Sequence, residues 1–219
     1  MPSPGTTAGR RGTVAALKRL TGRREVQEHC ELCSMVIGAG HRHLLEVSQR
    51  RVVCACDGCA LRFQVVVGGR FKLIPRDSHA LPDFRVSDAQ WEGLALPIEL
   101  AFLFYNTPGG KMTAMYPSPA GATESLLPLE AWHTLVADNP VLSQMEPDAQ
   151  ALLVNRVGNS RRYFIAPIDA CYELVGLIRM HWQGLSGGEK VWEQIETFFN
   201  RLEEQSVRLP EARREASHA

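Results

Sequence analysis

Two Cys-x-x-Cys pairs, Cys30-Glu-Leu-Cys33 and Cys56-Asp-Gly-Cys59, stand 22 residues apart. They limit what this chain can fold into more than any other feature. A C-x-x-C turn brings two thiolates to one ion at about 2.3 Å from zinc, and the turn's backbone N–H groups can donate to the sulfurs. Two such turns complete a tetrahedral four-sulfur site. The separation lies just beyond the roughly 15–20 residues of a zinc ribbon, and an extra strand accounts for the difference. Five of the chain's six cysteines fall between residues 30 and 59. Reduced core cysteines pack as small hydrophobes, which does not explain that density among charged neighbours.

Three more donors lie between the pairs: His41, His43 and Cys54. "HRHLLEV" and "RVVCAC" read as two strands around "SQRR". Residues two apart on a strand share a face, so His41 and His43 point together, as do Cys54 and Cys56. A turn at Gln49-Arg50 sets Leu45 opposite Cys54 and His43 opposite Cys56, bringing His43 to the second knuckle as a ligand or supporting group. A slip of one residue would reverse its face. Surface histidines on an edge strand are the plainer alternative. Seven donors are too many for one tetrahedral ion, so the sharper reading is two metals, or iron with mixed Cys/His ligation. The paired Cys-x-His loops of a Rieske centre are absent.

The remaining chain reads as α+β. "PIELAFLFYN" and "GGKMTAMYP" form one expected hairpin, and "ALLVNRV" and "RRYFIAP" a second. "FKLIP" and "DFRV" read as short strands. Ser87 caps a short helix, and "PLEAWHTLVAD" has helical spacing. "IDACYELVGLIRMHW" and "SGGEKVWEQIETFFNRLEEQ" are the C-terminal helices, the latter with Val191, Ile195, Phe198, Phe199 and Leu202 as its apolar stripe. Gly187-Gly188 reads as the turn between them, with Ser186 as cap. The expected organisation is a basic, largely disordered arm over 1–28, with a short helix at 13–20. A zinc-ribbon-like Cys/His segment over 29–69 follows, then an α+β domain over 70–206 in which the helices pack on an antiparallel sheet. A disordered tail occupies 207–219.

Charge narrows the function. Net charge is zero, but residues 1–24 hold six basic residues and no acid, leaving 18 basic against 24 acidic residues beyond. A nucleic-acid groove normally shows as a basic excess on the folded part, so a nucleic-acid-binding ribbon is the least favoured reading. No run of eighteen apolar residues predicts a membrane span. No apolar segment follows Arg10-Arg11 to make an export signal, so a cytoplasmic setting is expected, where clustered cysteines bind metal rather than form disulfides. "LSGGE" at 185–189 has no accompanying phosphate-binding loop. Cys171 reads as core, Asp169 as a helix-dipole carboxylate, and Arg161-Arg162 as a solvated face. Nothing nominates a catalytic nucleophile or base, and the expectation leans away from an enzyme.

"CELC…HRHLLEV…RVVCACDGCALRF", followed by "APIDACYELVGLIRMHWQGLSGGEKVWEQIETFFNRL", resembles an uncharacterised, mostly actinobacterial family encoded beside NiFe-hydrogenase genes. The resemblance covers most of residues 29–204. It implies a cytoplasmic accessory factor for hydrogenase assembly or electron transfer, with the hydrogenase or its maturation machinery as protein partner. The family pattern covers Cys30, Cys33, His41, His43, Cys54, Cys56 and Cys59. The expected metal set is therefore Cys30, Cys33, Cys56 and Cys59, with Cys54, His43 and His41 behind it. Zinc is the expected ion, and rubredoxin-like iron or an iron–sulfur cluster the alternative.

Overall fold

A computed structural model describes residues 27–64, 69–184 and 186–207. The arm helix expected at 13–20 and most of the C-terminal tail lie outside them. Two short strands, β1 (Glu28–His29) and β2 (Val36–Ile37), pair antiparallel around the first knuckle. The next two, β3 (Arg42–Glu46) and β4 (Arg51–Ala55), form a hairpin that leads into helix α1 (Asp57–Gln64). Strand β5 (Phe71–Leu73) adds to the free edge of β3, giving the sheet order β4-β3-β5.

A six-stranded antiparallel sheet forms the body. Its strands are β6 (His79–Ala80), β7 (Leu100–Asn106), β8 (Lys111–Ser118), β9 (Gly121–Ser125), β10 (Gln150–Asn155) and β11 (Arg162–Pro167). They lie in the order β6-β11-β10-β7-β8-β9. Both expected hairpins form, β7 with β8 and β10 with β11. The unbroken apolar runs of β7, β10 and β11 follow from burial on both faces. Leu100, Phe102 and Phe104 enter one core with Leu153 and Phe164, whereas Ala101 and Leu103 enter another with Leu152 and Ile165. The first core is covered by α4 (Ile168–His181) and α5 (Glu189–Gln205), the C-terminal helices expected there. The second is covered by α2 (Asp88–Gly93) and α3 (Leu129–Asp138), which supply Trp91, Trp132 and Leu135, with Leu142 from a short 3-10 helix, Pro140–Gln144.

Local chemistry sets the helix ends. Ser87 Oγ accepts from Gln90 N at 3.2 Å, while Gln90 Oε1 accepts from Ser87 N at 2.8 Å, a reciprocal cap at the start of α2. The five stripe residues of α5 are all buried as its spacing predicts. Two local expectations fail. "DFRV" carries no strand; the pairing falls earlier, where Ala80 meets Phe164 and His79 meets Ile165. Ser186 does not cap α5: the N-cap is Gly188 and makes no side-chain bond, while the Ser186 carbonyl accepts from Trp192 Nε1.

Gly187 has φ +87, and a Cβ there would lie 2.8 Å from Val191 Cγ1 and 3.3 Å from the Trp182 ring. Left-handed backbone and crowding both oppose a side chain. Gly187→Ala is expected to cost about 1–3 kcal/mol, read as a lower urea midpoint with unchanged slope. An unchanged midpoint would show that the turn relaxes freely.

The three-stranded sheet is fastened to the body. Leu45 and Ile74 join the core beneath α4 and α5. Lys72 Nζ lies 2.6 Å from Asp148 Oδ2, and Asp148 also accepts from Thr107 N and Oγ1. At the outer end of β3, Glu46 is buried against Arg70 at 2.6 Å and Arg51 at 3.2 Å. Burial alone would raise its carboxyl, but bonds from the two guanidinium groups outweigh it and hold the carboxyl below the ordinary value. A depressed carboxylate stabilises the fold fully above its unfolded value, and this contribution is lost as pH falls through the folded value. Urea midpoints should therefore fall as pH drops below about 4.5, the ordinary value. Glu46→Gln should lower the neutral midpoint and flatten that acid limb; parallel pH curves for the two proteins would exclude this role.

Candidate metal centre

The first knuckle sits in the loop between β1 and β2. Cys30 N donates to Met35 O at 2.8 Å and Ser34 N to Cys30 O at 2.8 Å, closing a tight turn with Ser34 at φ +62. Glu31 braces this turn against β4: its backbone N donates to Cys54 O, and its carboxylate accepts from Cys54 N at 2.8 Å and from Arg51 at 2.9 Å. The second pair sits at a change of structure. β4 ends at Ala55, Cys56 precedes α1, and Cys59 lies in the helix's first turn, where Cys59 N approaches Cys56 Sγ at 3.5 Å. Helix N-terminal amides favour negative charge, here a thiolate.

The four sulfurs of Cys30, Cys33, Cys56 and Cys59 converge, all within 4.8 Å of one another. Cys33 Sγ and Cys56 Sγ are 3.7 Å apart. Four thiolates at about 2.3 Å from one tetrahedral ion stand about 3.7–3.8 Å apart, so this donor set fits zinc or a single iron. Cys30 is buried, and Cys33 is exposed.

The thiols resist ionising together. Burial raises Cys30, but backbone bonds from Cys56, Leu32 and Cys33 outweigh it and bring the thiol down to about 6. Cys59 is pushed up to about 12, by burial first and then by bonds to Cys33, Cys56 and Cys30. Cys33 is also raised: a backbone bond from Met35 lowers it, but contacts with Cys30 and Cys56 prevail. The Cys30 thiol ionises most readily, while Cys33 and Cys59 hold their protons. A bound cation inverts that logic and deprotonates coordinating thiols outright.

The histidines do not join this set. β3 and β4 pair two residues away from the expected register, with Glu46 opposite Arg51, Leu45 opposite Val52, and His43 opposite Cys54. The turn takes four residues, Val47–Arg50, with Arg50 at φ +50. A shift of two keeps every side chain on its expected face, so His43 still points as predicted but meets Cys54 instead of Cys56. Cys54 and Cys56 part company because the strand gives way to helix between them. His41, His43 and Cys54 form a separate group, their ligand atoms within 4.8 Å of one another.

Asp169, in the first turn of α4, holds this second group. Its Oδ2 lies 2.6 Å from His43 Nδ1, and its Oδ1 accepts from Ala170 N. The bond to Asp169 raises the His43 imidazole against the lowering effect of burial. Sequence reasoning assigned Asp169 to the helix dipole alone; nothing in the chain's local pattern pairs residue 169 with residue 43. Cys171 is fully buried in the main core, as expected.

Residues 29–206 match DUF5947, a family of unknown function. No curated protein and no solved structure matches the chain. No helix among the described residues is long and apolar enough to cross a membrane.

Proposed function

We propose that this chain, which belongs to the DUF5947 family, is a non-catalytic, cytoplasmic metal-binding accessory protein. Cys30, Cys33, Cys56 and Cys59 hold a structural zinc ion, and the α+β body over 70–206 serves as a docking surface. The convergence of four sulfurs, with 3.7 Å between Cys33 and Cys56, carries this reading. Zinc suits it because a closed four-thiolate site supplies folding energy and no redox chemistry. The sequence resemblance to proteins encoded beside NiFe-hydrogenase genes supports a role in hydrogenase assembly. Trp192 and Met180, 41% and 76% exposed on the C-terminal helices, supply apolar contacts of the kind protein interfaces use.

The exposure of Cys33 favours a second reading, an iron-containing electron carrier, because electron transfer needs a metal near the surface and solvent exposure tunes its potential. Anaerobic purification with elemental analysis and a visible spectrum separates the two. Zinc in a colourless protein is the expected result. Iron with sulfide, or a rubredoxin-like colour, makes the chain an electron carrier; a metal-free protein that takes up neither ion overturns both.

A further inference from the structure

We propose that His41, His43 and Cys54 form a second metal site, distinct from the four-thiolate centre, with an open coordination position and with Asp169 as its positioning residue. The argument begins with ring nitrogens. His43 Nδ1 faces Asp169 Oδ2 at 2.6 Å. His41 Nδ1 faces Gly38 O at 2.9 Å and Glu28 Oε2 at 3.3 Å. Each Nδ1 meets only acceptors, so each carries the hydrogen, and in a neutral imidazole the other nitrogen is then a bare lone pair. The two Nε2 atoms nevertheless face each other at 3.0 Å. Two lone pairs at that distance repel unless a metal ion or a shared proton lies between them.

Cys54 supplies a third donor. It stands directly opposite His43 in the β3–β4 ladder, where facing Cβ atoms lie about 4.5–5.5 Å apart. Imidazole ligands at about 2.0–2.1 Å from a tetrahedral ion would place the two nitrogens about 3.3–3.4 Å apart, which a small ring rotation achieves from 3.0 Å. Two imidazoles and one thiolate suit zinc and related borderline ions rather than magnesium or calcium. Three protein ligands leave a tetrahedral ion one position for an outside ligand. His43 and Cys54 are partly exposed, and His41 lines a surface groove of about 460 Å³ together with Gly38, Ile37 and Cys56. The carboxylate behind His43 is the usual partner of a metal-bound imidazole: it fixes the tautomer and raises ligand basicity. Two other charged groups act on His43, Glu28 and Arg76, and Arg76 is itself engaged with Gly40 O.

Zinc titration of the metal-free full-length chain, under reducing anaerobic conditions, tests this. Cobalt serves as the spectroscopic reporter of each ligand set. Wild type should take up two zinc ions per chain. His41→Ala/His43→Ala should take up one and keep the four-thiolate cobalt spectrum. Asp169→Ala leaves all donors in place and should weaken the second ion alone, by about 10–100-fold. Uptake of a single ion by wild type, unchanged in the double histidine variant, overturns the second site: the pair then shares a proton, and the four-thiolate reading stands. Two ions bound by both proteins also overturns it. A single ion that survives Cys33→Ser but is lost with the histidines would instead sink the four-thiolate reading and leave this one.

Discussion

Cys59→Ser, and Cys33→Ser likewise, should lose the four-thiolate ion and, with it, the order of the segment that carries it. The buried cluster at α1 is Cys30, Leu44, Val53, Ala55, Ala60 and Phe71, with Leu32, Ile37, Phe63 and Leu73 packed partly buried against it. Two of these buried residues are alanines and one is itself a candidate ligand, a small core that leans on the body through Leu45 and Ile74. A bound ion would add to this support: structural zinc in small knuckles contributes apparent binding energies of about 10–16 kcal/mol at neutral pH. A serine oxygen is a far poorer partner for zinc than a thiolate. Limited proteolysis should cut the variants rapidly between residues 27 and 64 while the body resists, with metal content falling by about one ion per chain. Full metal content and wild-type protease resistance in both variants would remove the four-thiolate centre from the fold's support.

Phe199→Ala should be among the most damaging single changes in the body. Phe199 is wholly buried on α5, with ring centroids 5.3 Å from Phe198 and 6.0 Å from Phe164 on β11. Truncation removes the ring and leaves a cavity between helix and sheet, at a cost of about 3–5 kcal/mol. For a chain of this length each kcal/mol lowers Tm by about 2–4 °C, so a drop on the order of 10 °C is expected by calorimetry. Metal content should stay at the wild-type level, because the ring touches neither donor group. A drop of only a degree or two would mean that α5 slides inward to fill the space.

These two sites were legible in the sequence for different reasons. The α5 stripe is a 3.6-residue pattern, and Val191, Ile195, Phe198, Phe199 and Leu202 are all buried as that pattern requires. The CxxC pairs carry their meaning in local spacing, and their four sulfurs do converge. The hairpins were readable from apolar runs bounded by turn residues. The β3–β4 register was not, because Val47-Ser48-Gln49-Arg50 contains no glycine, asparagine or proline to set the turn. Face survived that error because the side-chain period is two; partner identity did not, which moved His43 from Cys56 to Cys54. Asp169 was beyond reach for another reason: its contact with His43 is made by tertiary packing, and no sequence period links a strand near the start of the chain to a helix near its end. The same holds for Glu46, whose two arginines come from β4 and from the approach to β5.

The bond between His43 and Asp169 spans 126 residues, and that span is also an interval of time. A ribosome adding about 5–20 residues per second needs about 6–25 s to travel from one to the other. Early in that interval the last of the cysteines between 30 and 59 is made, whereas the carboxylate that fixes the His43 tautomer comes only at its end. The four thiols can capture an ion while the chain is still growing. The histidine pair acquires its fixed geometry only after α4 has emerged and docked. On the proposed two-site reading, loading would follow the order of synthesis: the cysteine centre first, as a seed for the N-terminal segment, and the histidine group only once α4 has docked.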